Sequence, residues 1–125
     1  MFCSDSMFDM NNTGTGRIAP GDTDEFIEVT VVFTAEEVTD ASFSCSDDEV
    51  LKDCGETICR MIKYHTAEDI MQVTNNVVFY NTTNEIPRQK LYLGAMAVMA
   101  AKRAVADWGR KNGRTYENHT GCSCY

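Results

Sequence analysis

The residues of this chain best suited to chemistry are its six cysteines. Cys122 and Cys124 form a Cys-x-Cys pair near the C-terminus. Two soft sulfur ligands at this spacing can bind a thiophilic metal ion or exchange sulfur, although a passive tail would have the same sequence. The sequence has no Cys-x-x-Cys pair, so the common zinc-site and thioredoxin signals are absent.

Cys45 stands directly before the pattern Ser46-Asp47-Asp48-Glu49. The pattern is a capping box, which predicts a helix with Ser46 as its N-cap residue. A helix N-terminus favours a thiolate, whereas the three acidic residues oppose it unless a cation binds among them. Cys45 is therefore a candidate ligand, with a buried cysteine at the end of a strand as the alternative.

Two further cysteines fall on the predicted helix 46–63. Cys54 lies in the middle of the apolar face, which predicts a packing role. Cys59 lies five residues further, about 140° round the helix, so the two thiols cannot easily share one ion. We expect Cys59 to lie on the shoulder of the polar face, accessible as an additional ligand.

Carboxylates supply the remaining candidate metal ligands. Asp22 and Asp24 precede the first predicted strand, where they are either ligands or ordinary turn residues, and Asp48 lies near Cys45. The sequence contains no P-loop, His-Glu-x-x-His or Gly-x-Ser-x-Gly motif. Since no pairing of a nucleophile with a base is identifiable, we do not expect an enzyme.

The chain has 125 residues, a net charge of −8 and 43% hydrophobic residues, which predicts one globular domain over residues 1–125. Residues 1–12 are predicted to be a mobile arm, and residues 112–125 a polar tail. The acidic balance argues against binding to nucleic acid or anionic membranes. The N-terminus has no signal-peptide pattern, so we expect a cytoplasmic protein with reduced thiols.

Three segments have the composition of strands: 14–22, 26–33 and 38–45. A helix follows at 46–63, and a shorter helix begins at Thr66. The central helix is predicted from Pro87, which suits a first helical turn, to Gly109, which suits a helix end. Leu91 to Ala101 carries no charge, so we expect this half to be surrounded by other elements. Strands followed by helices predict an α+β fold, a small antiparallel sheet with helices on one face.

Three segments of this sequence resemble the NifU/IscU family of iron–sulfur cluster assembly scaffolds. The first runs from Val38-Thr-Asp-Ala-Ser-Phe43 through the helix to Met61-Ile-Lys-Tyr-His-Thr-Ala-Glu-Asp-Ile70. The second is Ile86-Pro87 with Lys90-Leu-Tyr-Leu-Gly94 and an Ala/Lys-rich helix ending at Trp108. The third is Gly14-x-Gly16 with Ala19-Pro20 and Asp24. The resemblance covers roughly residues 12–111.

The resemblance implies a three-stranded antiparallel sheet with helices. It also implies assembly of a [2Fe–2S] cluster with sulfur from a cysteine desulfurase, and transfer of that cluster to apo-protein clients. In the family, three cysteines and an aspartate hold the cluster. A chaperone binds a proline-rich stretch that is retained here only partly, as Ile86-Pro-Arg-Gln-Lys90.

This sequence departs from the family at the ligands. The first family cysteine falls near Gly21 or Asp22, and the aspartate matches Asp24. The second matches Cys45, although a register without gaps would place Asp48 there. The third cysteine and the histidine before it match Leu93 and Tyr92, so both ligands are lost.

Three hypotheses follow. The first is a divergent scaffold or carrier that binds a [2Fe–2S] cluster or an iron or zinc ion through Cys45, Asp24, Cys59 and the tail pair Cys122 and Cys124. The second is an IscU-like protein without a cluster that binds or regulates a cysteine desulfurase or a chaperone. The third is a thiol carrier of metal or sulfur that uses only the Cys-x-Cys pair.

Overall fold

The structure is a computed structural model that describes residues 12–114. Most of the predicted arm and most of the predicted tail, including Cys122 and Cys124, lie outside these residues.

The sheet has three antiparallel strands in the order β1-β2-β3. They are β1 (Thr13–Ile18), β2 (Ile27–Thr34) and β3 (Glu37–Cys45). Alternate residues of β2 are buried, which places the core on one face of the sheet: Ile27, Val29, Val31 and Phe33. The predicted strand 14–22 ends early, at Ile18, shortly before Pro20, which has no N–H for strand pairing.

Three α-helices follow: α1 (Glu49–Ile62), α2 (Ala67–Met71) and α3 (Leu91–Lys111). Two short 3₁₀ helices, Val77–Tyr80 and Arg88–Lys90, stand between α2 and α3. Helix α3 packs mainly on β1 and β2, and α1 packs on β3 and on α3. The prediction of an α+β fold with a three-stranded antiparallel sheet and helices packed against it is confirmed.

The prediction that Ser46 caps α1 is wrong. The N-cap residue is Asp48, whose Oδ1 accepts hydrogen bonds from the N–H groups of Val50 at 2.9 Å and Leu51 at 3.1 Å. Ser46 instead continues the strand pairing, because its N–H donates to the Phe26 carbonyl at 3.0 Å. Its hydroxyl also accepts from the Phe26 N–H at 3.1 Å, so its backbone is held in the extended ladder.

The predicted end of the central helix at Gly109 is also wrong, since α3 continues to Lys111. The left-handed residue that ends the helix is Gly113, with φ of 75°. The Arg114 N–H donates to the Gly109 carbonyl at 2.7 Å and the Gly113 N–H to the Arg110 carbonyl at 3.2 Å. This is a Schellman motif, in which glycine at the position after the cap avoids the strain of a side chain.

Helix α3 lies unusually close to β1 because β1 carries glycine at Gly14 and Gly16. A Cβ atom at Gly16 would overlap the backbone of Ala100 and Ala104, and one at Gly14 would lie 2.8 Å from the Trp108 nitrogen. Trp108 stacks on Phe33 with ring centroids 3.7 Å apart. The uncharged half of α3 is largely enclosed, but Tyr92 is 47% exposed, so the expectation of burial on every side is wrong there.

Candidate functional site

Three segments meet at one end of the domain: the loop before β2, the turn between β3 and α1, and the start of α3. The Tyr92 hydroxyl on α3 donates to Oε2 of Glu25 in the loop at 2.6 Å. The Lys90 ammonium lies 3.5 Å from Oδ2 of Asp48 at the start of α1. We call this group, together with Cys45 at the end of β3, the convergence site.

The side chains of Glu25 and Tyr92 hold the loop against α3. The hydrogen bond to the Glu25 carboxylate is the main reason that the pKa of Tyr92 rises to about 12, with smaller contributions from burial and from the charges of Glu25 and Asp48. Tyr92 therefore stays protonated and donates to Glu25 throughout the physiological pH range. Sequence reasoning did not identify Glu25, because no local pattern links two residues that are 67 positions apart.

Asp48 uses both of its carboxylate oxygens in structural contacts. Oδ1 caps α1, and Oδ2 pairs with Lys90. Burial raises the pKa of Asp48, but the hydrogen bonds from the Leu51 and Val50 N–H groups and the charge of Lys90 outweigh it, so the net shift is downward. The predicted metal ligand Asp48 thus lies at the convergence site, where its carboxylate is already engaged.

Cys45 lies at the same end of the domain and is half-buried. Burial raises the pKa of its thiol, and the carboxylates of Asp48 and Asp47 raise it further, while Lys52 opposes them. Of the two opposing influences on Cys45, the helix N-terminus is the more remote, because the N-cap of α1 is Asp48, three residues beyond Cys45, and its carboxylate accepts the first free N–H groups of the helix.

The two predicted loop ligands, Asp22 and Asp24, are exposed. The loop turns through hydrogen bonds from the Thr23 N–H to the Pro20 carbonyl at 3.4 Å and from the Glu25 N–H to the Thr23 hydroxyl at 3.2 Å. Glu25, which follows the two aspartates, makes the side-chain hydrogen bond to α3.

The prediction that Cys54 packs in the core is confirmed, since its side chain is fully buried. The prediction that Cys59 is accessible is wrong, because β3 packs against that flank of α1 and leaves Cys59 only 6% exposed. Burial is the largest cause that raises the pKa of each thiol to about 12. Both cysteines are therefore poor thiolate donors.

The thiols and carboxylates of the described residues do not fit a [2Fe–2S] cluster, which normally takes about four ligands, largely thiolate. The convergence site offers one thiol, and the neighbouring Leu93 is fully buried in the core. Within residues 12–114, no group of three or more His, Cys, Asp or Glu side chains is arranged to hold a metal ion. Any cluster would need thiols from outside this range.

Comparison with known proteins gives the fold and no more. No protein-family model matches the chain, and no curated protein is similar to it. One similar solved structure is the crystal structure, at 2.3 Å resolution, of a protein described only as hypothetical. It is 13% identical, the match covers 74% of this chain and 81% of that chain, and the TM-score is 0.57. Among the helices of the described part of this chain, none is sufficiently long and apolar to cross a membrane.

Proposed function

We propose that this protein is an IscU-like binding module that engages a cysteine desulfurase through the convergence site and does not assemble a cluster there. The observation that carries the proposal is that the Tyr92–Glu25 hydrogen bond and the Lys90–Asp48 ion pair join the three segments where the resembled family holds its cluster. These two contacts hold the loop before β2 and the start of α1 against the start of α3.

The exposure of this end supports a role in protein binding. Tyr92 is 47% exposed, although its hydroxyl is held by Glu25. A tyrosine ring with few rotamers is a frequent anchor in protein interfaces. The neighbouring residues Pro87 and Arg88 are also exposed, so a partner could contact Tyr92 and the first turn of the helix together.

The state of Cys45 supports the same proposal. A sulfur acceptor works as the thiolate, and the pKa of Cys45 is raised rather than lowered. The choice of a desulfurase as partner rests on the resemblance to the NifU/IscU family. A chaperone is the alternative partner, since part of the proline-rich stretch is present at Ile86 to Lys90.

The test measures binding of the purified protein to a purified cysteine desulfurase. We expect Tyr92→Ala to weaken binding by at least tenfold, as the loss of an aromatic anchor does. Tyr80→Ala is the matched control, because Tyr80 is 87% exposed on a different helix and should not affect binding. Tyr92→Phe keeps the ring but removes the bond to Glu25, so it separates contact from positioning. Equal affinity of all three variants, or no binding at all, would overturn the proposal.

A second candidate is a divergent cluster or metal carrier, which is favoured by the position of Cys45 at the convergence site. It would need the thiols of Cys122 and Cys124. Anaerobic reconstitution with iron, sulfide and a desulfurase distinguishes the two functions. A colourless protein supports the first proposal, whereas a chromophore that Cys45→Ser and deletion of residues 121–125 both abolish supports the second. A chromophore lost only with the tail would indicate the Cys-x-Cys carrier.

A further inference from the structure

Strand β3 lies at the edge of the sheet, because β2 is its one neighbouring strand. Along an antiparallel strand, residues whose backbone groups face the neighbouring strand alternate with residues whose backbone groups face away. The Ser46 N–H donates to the Phe26 carbonyl at 3.0 Å, so every second residue of β3 before Ser46 also faces β2. The backbone groups that point away from β2 belong to Ala41, Phe43 and Cys45.

The beginning of this edge is covered by the chain itself. The Val38 N–H donates to the His65 carbonyl at 3.1 Å, and the Val38 carbonyl accepts from the Tyr64 N–H at 2.6 Å. Residues 37 and 66 form an antiparallel bridge at the same place. The chain then turns into α2, so this cover ends after one bridge.

The rest of the edge is open. Within residues 12–114, no backbone group pairs with the outward N–H and carbonyl groups of Phe43 and Cys45. The Ala41 N–H donates to Oδ1 of the preceding residue, Asp40, at 3.0 Å. Unpaired N–H and carbonyl groups at the edge of a sheet are a template for a further strand. We call residues 41–45 the open edge.

A hollow of about 480 Å³ lies beside the open edge, between β3 and one flank of α1. The half-buried Phe43 and the buried Cys59 supply apolar lining, and the exposed Glu56 and Arg60 supply polar lining. Side chains that stand opposite one another in an antiparallel pair point to the same face of the sheet. A residue paired with Phe43 would therefore place its side chain in this hollow.

We propose that the open edge binds an extended, basic segment of a partner protein, which adds to the sheet as a fourth, antiparallel strand. Apolar side chains at alternate positions enter the hollow, and the basic side chains between them lie on the face of the sheet without helices. Strand β3 contains two acidic residues and no basic residue, and the chain has a net charge of −8. Electrostatic attraction therefore favours a basic segment.

A second copy of this chain does not fit the open edge through its own β3. Helix α1 packs on β3, so pairing of two β3 strands would bring two α1 helices together. Paired strands lie about 4.8 Å apart, whereas packed helices need about 8–10 Å between their axes. A segment without an attached helix avoids this collision.

The test is hydrogen exchange measured by NMR, with the peptide acetyl-Lys-Val-Lys-Val-Lys-Val-Lys-amide as the probe. In the free protein, the amides of Ser42 and Ser44 should exchange slowly and those of Phe43 and Cys45 rapidly, because only the first two face β2. Saturating peptide should slow exchange at Phe43 and Cys45 at least tenfold and leave Ser42 and Ser44 unchanged.

Two N-methylated peptides are matched controls. Methyl groups on the backbone nitrogens of the valines remove the donors that face β3, so this peptide should give no protection. Methyl groups on the backbone nitrogens of the lysines block only the far edge of the added strand, so that peptide should still protect Phe43 and Cys45. Equal effects of the two peptides, or no protection by the unmodified peptide, would overturn the proposal.

Glu56→Trp tests the hollow, because a bulky ring there should exclude the valine side chains and prevent binding. Glu68→Trp is its matched control, since Glu68 is an exposed glutamate on α2, and it should leave peptide affinity unchanged. Equal urea midpoints establish that both variants are folded. Equal loss of binding in both variants, or equally tight binding of a peptide with glutamate in place of lysine, would contradict the proposal. Desulfurase binding is measured separately, so either proposal can fail alone.

Discussion

Substitution of Gly16 by alanine should destabilise the protein strongly, because α3 lies on the backbone of β1 at this point. The new methyl group would overlap the Ala100 carbonyl oxygen and the Ala104 nitrogen, and would lie 2.6 Å from Cβ of Arg103. Two of these atoms belong to the helix backbone, so no rotation of a side chain can make room. The helix itself must move away from the strand.

The expected cost follows from that movement. Restoring an ordinary carbon contact of about 3.5 Å requires α3 to shift by roughly 1 Å, which opens the packing between α3 and the sheet, including the stack of Trp108 on Phe33. Overpacking of this kind costs about 1–3 kcal/mol or more. Replacing glycine also restricts the unfolded chain, which offsets about 0.4–1 kcal/mol. We therefore expect a net loss of about 2 kcal/mol in the free energy of unfolding.

Urea unfolding followed by circular dichroism measures the effect, and the midpoint should fall by roughly 1 M. Two glycines serve as controls. A Cβ atom at Gly21 would meet nothing within 4 Å, so Gly21→Ala should be neutral or slightly stabilising. A Cβ atom at Gly55 would meet ring atoms of Phe43 at 2.6 Å, and a half-buried side chain can move, so Gly55→Ala should cost less than Gly16→Ala. If Gly16→Ala unfolds at the wild-type midpoint, the close approach of α3 to β1 is not as described.

Asp48→Ala should reduce stability by about 1 kcal/mol through loss of the N-cap, as measured by urea unfolding. Because the pKa of Asp48 is lowered in the folded state, its carboxylate stabilises the wild type fully at pH values above the usual pKa of 3.8, and this stabilisation disappears as the pH falls further. A difference in the free energy of unfolding between wild type and variant that persists at the acid limit would contradict this. Gly113→Ala should cost about 1 kcal/mol in thermal unfolding, since it forces a side chain into the left-handed region. Cys45 should react with a thiol reagent before Cys54 and Cys59, which should react only on unfolding; equal rates for all three would refute their burial. The raised pKa values of those two buried thiols also predict loss of stability as the pH rises above about 9, because only the unfolded thiols ionise there.

The α+β fold could be predicted because its elements carry strong local patterns. β-Branched and aromatic residues predicted β2, and the shorter helix predicted to begin at Thr66 is α2, with Thr66 as its N-cap residue. The ends of the elements were predicted less accurately than their types. Ser46 and Gly109 both have the right local chemistry for helix ends, but Ser46 is held by pairing with Phe26 and Gly109 is buried inside α3.

The sequence by itself determined the order and type of the elements and the burial of Cys54. Only the tertiary structure decided how the candidate residues meet. In the folded chain Tyr92 donates a hydrogen bond to Glu25, Asp48 forms an ion pair with Lys90, and Cys59 is buried beneath β3. The physical reason is that periodicity and capping act over a few residues, whereas side-chain pairing at the convergence site depends on how helices dock on a sheet across tens of residues.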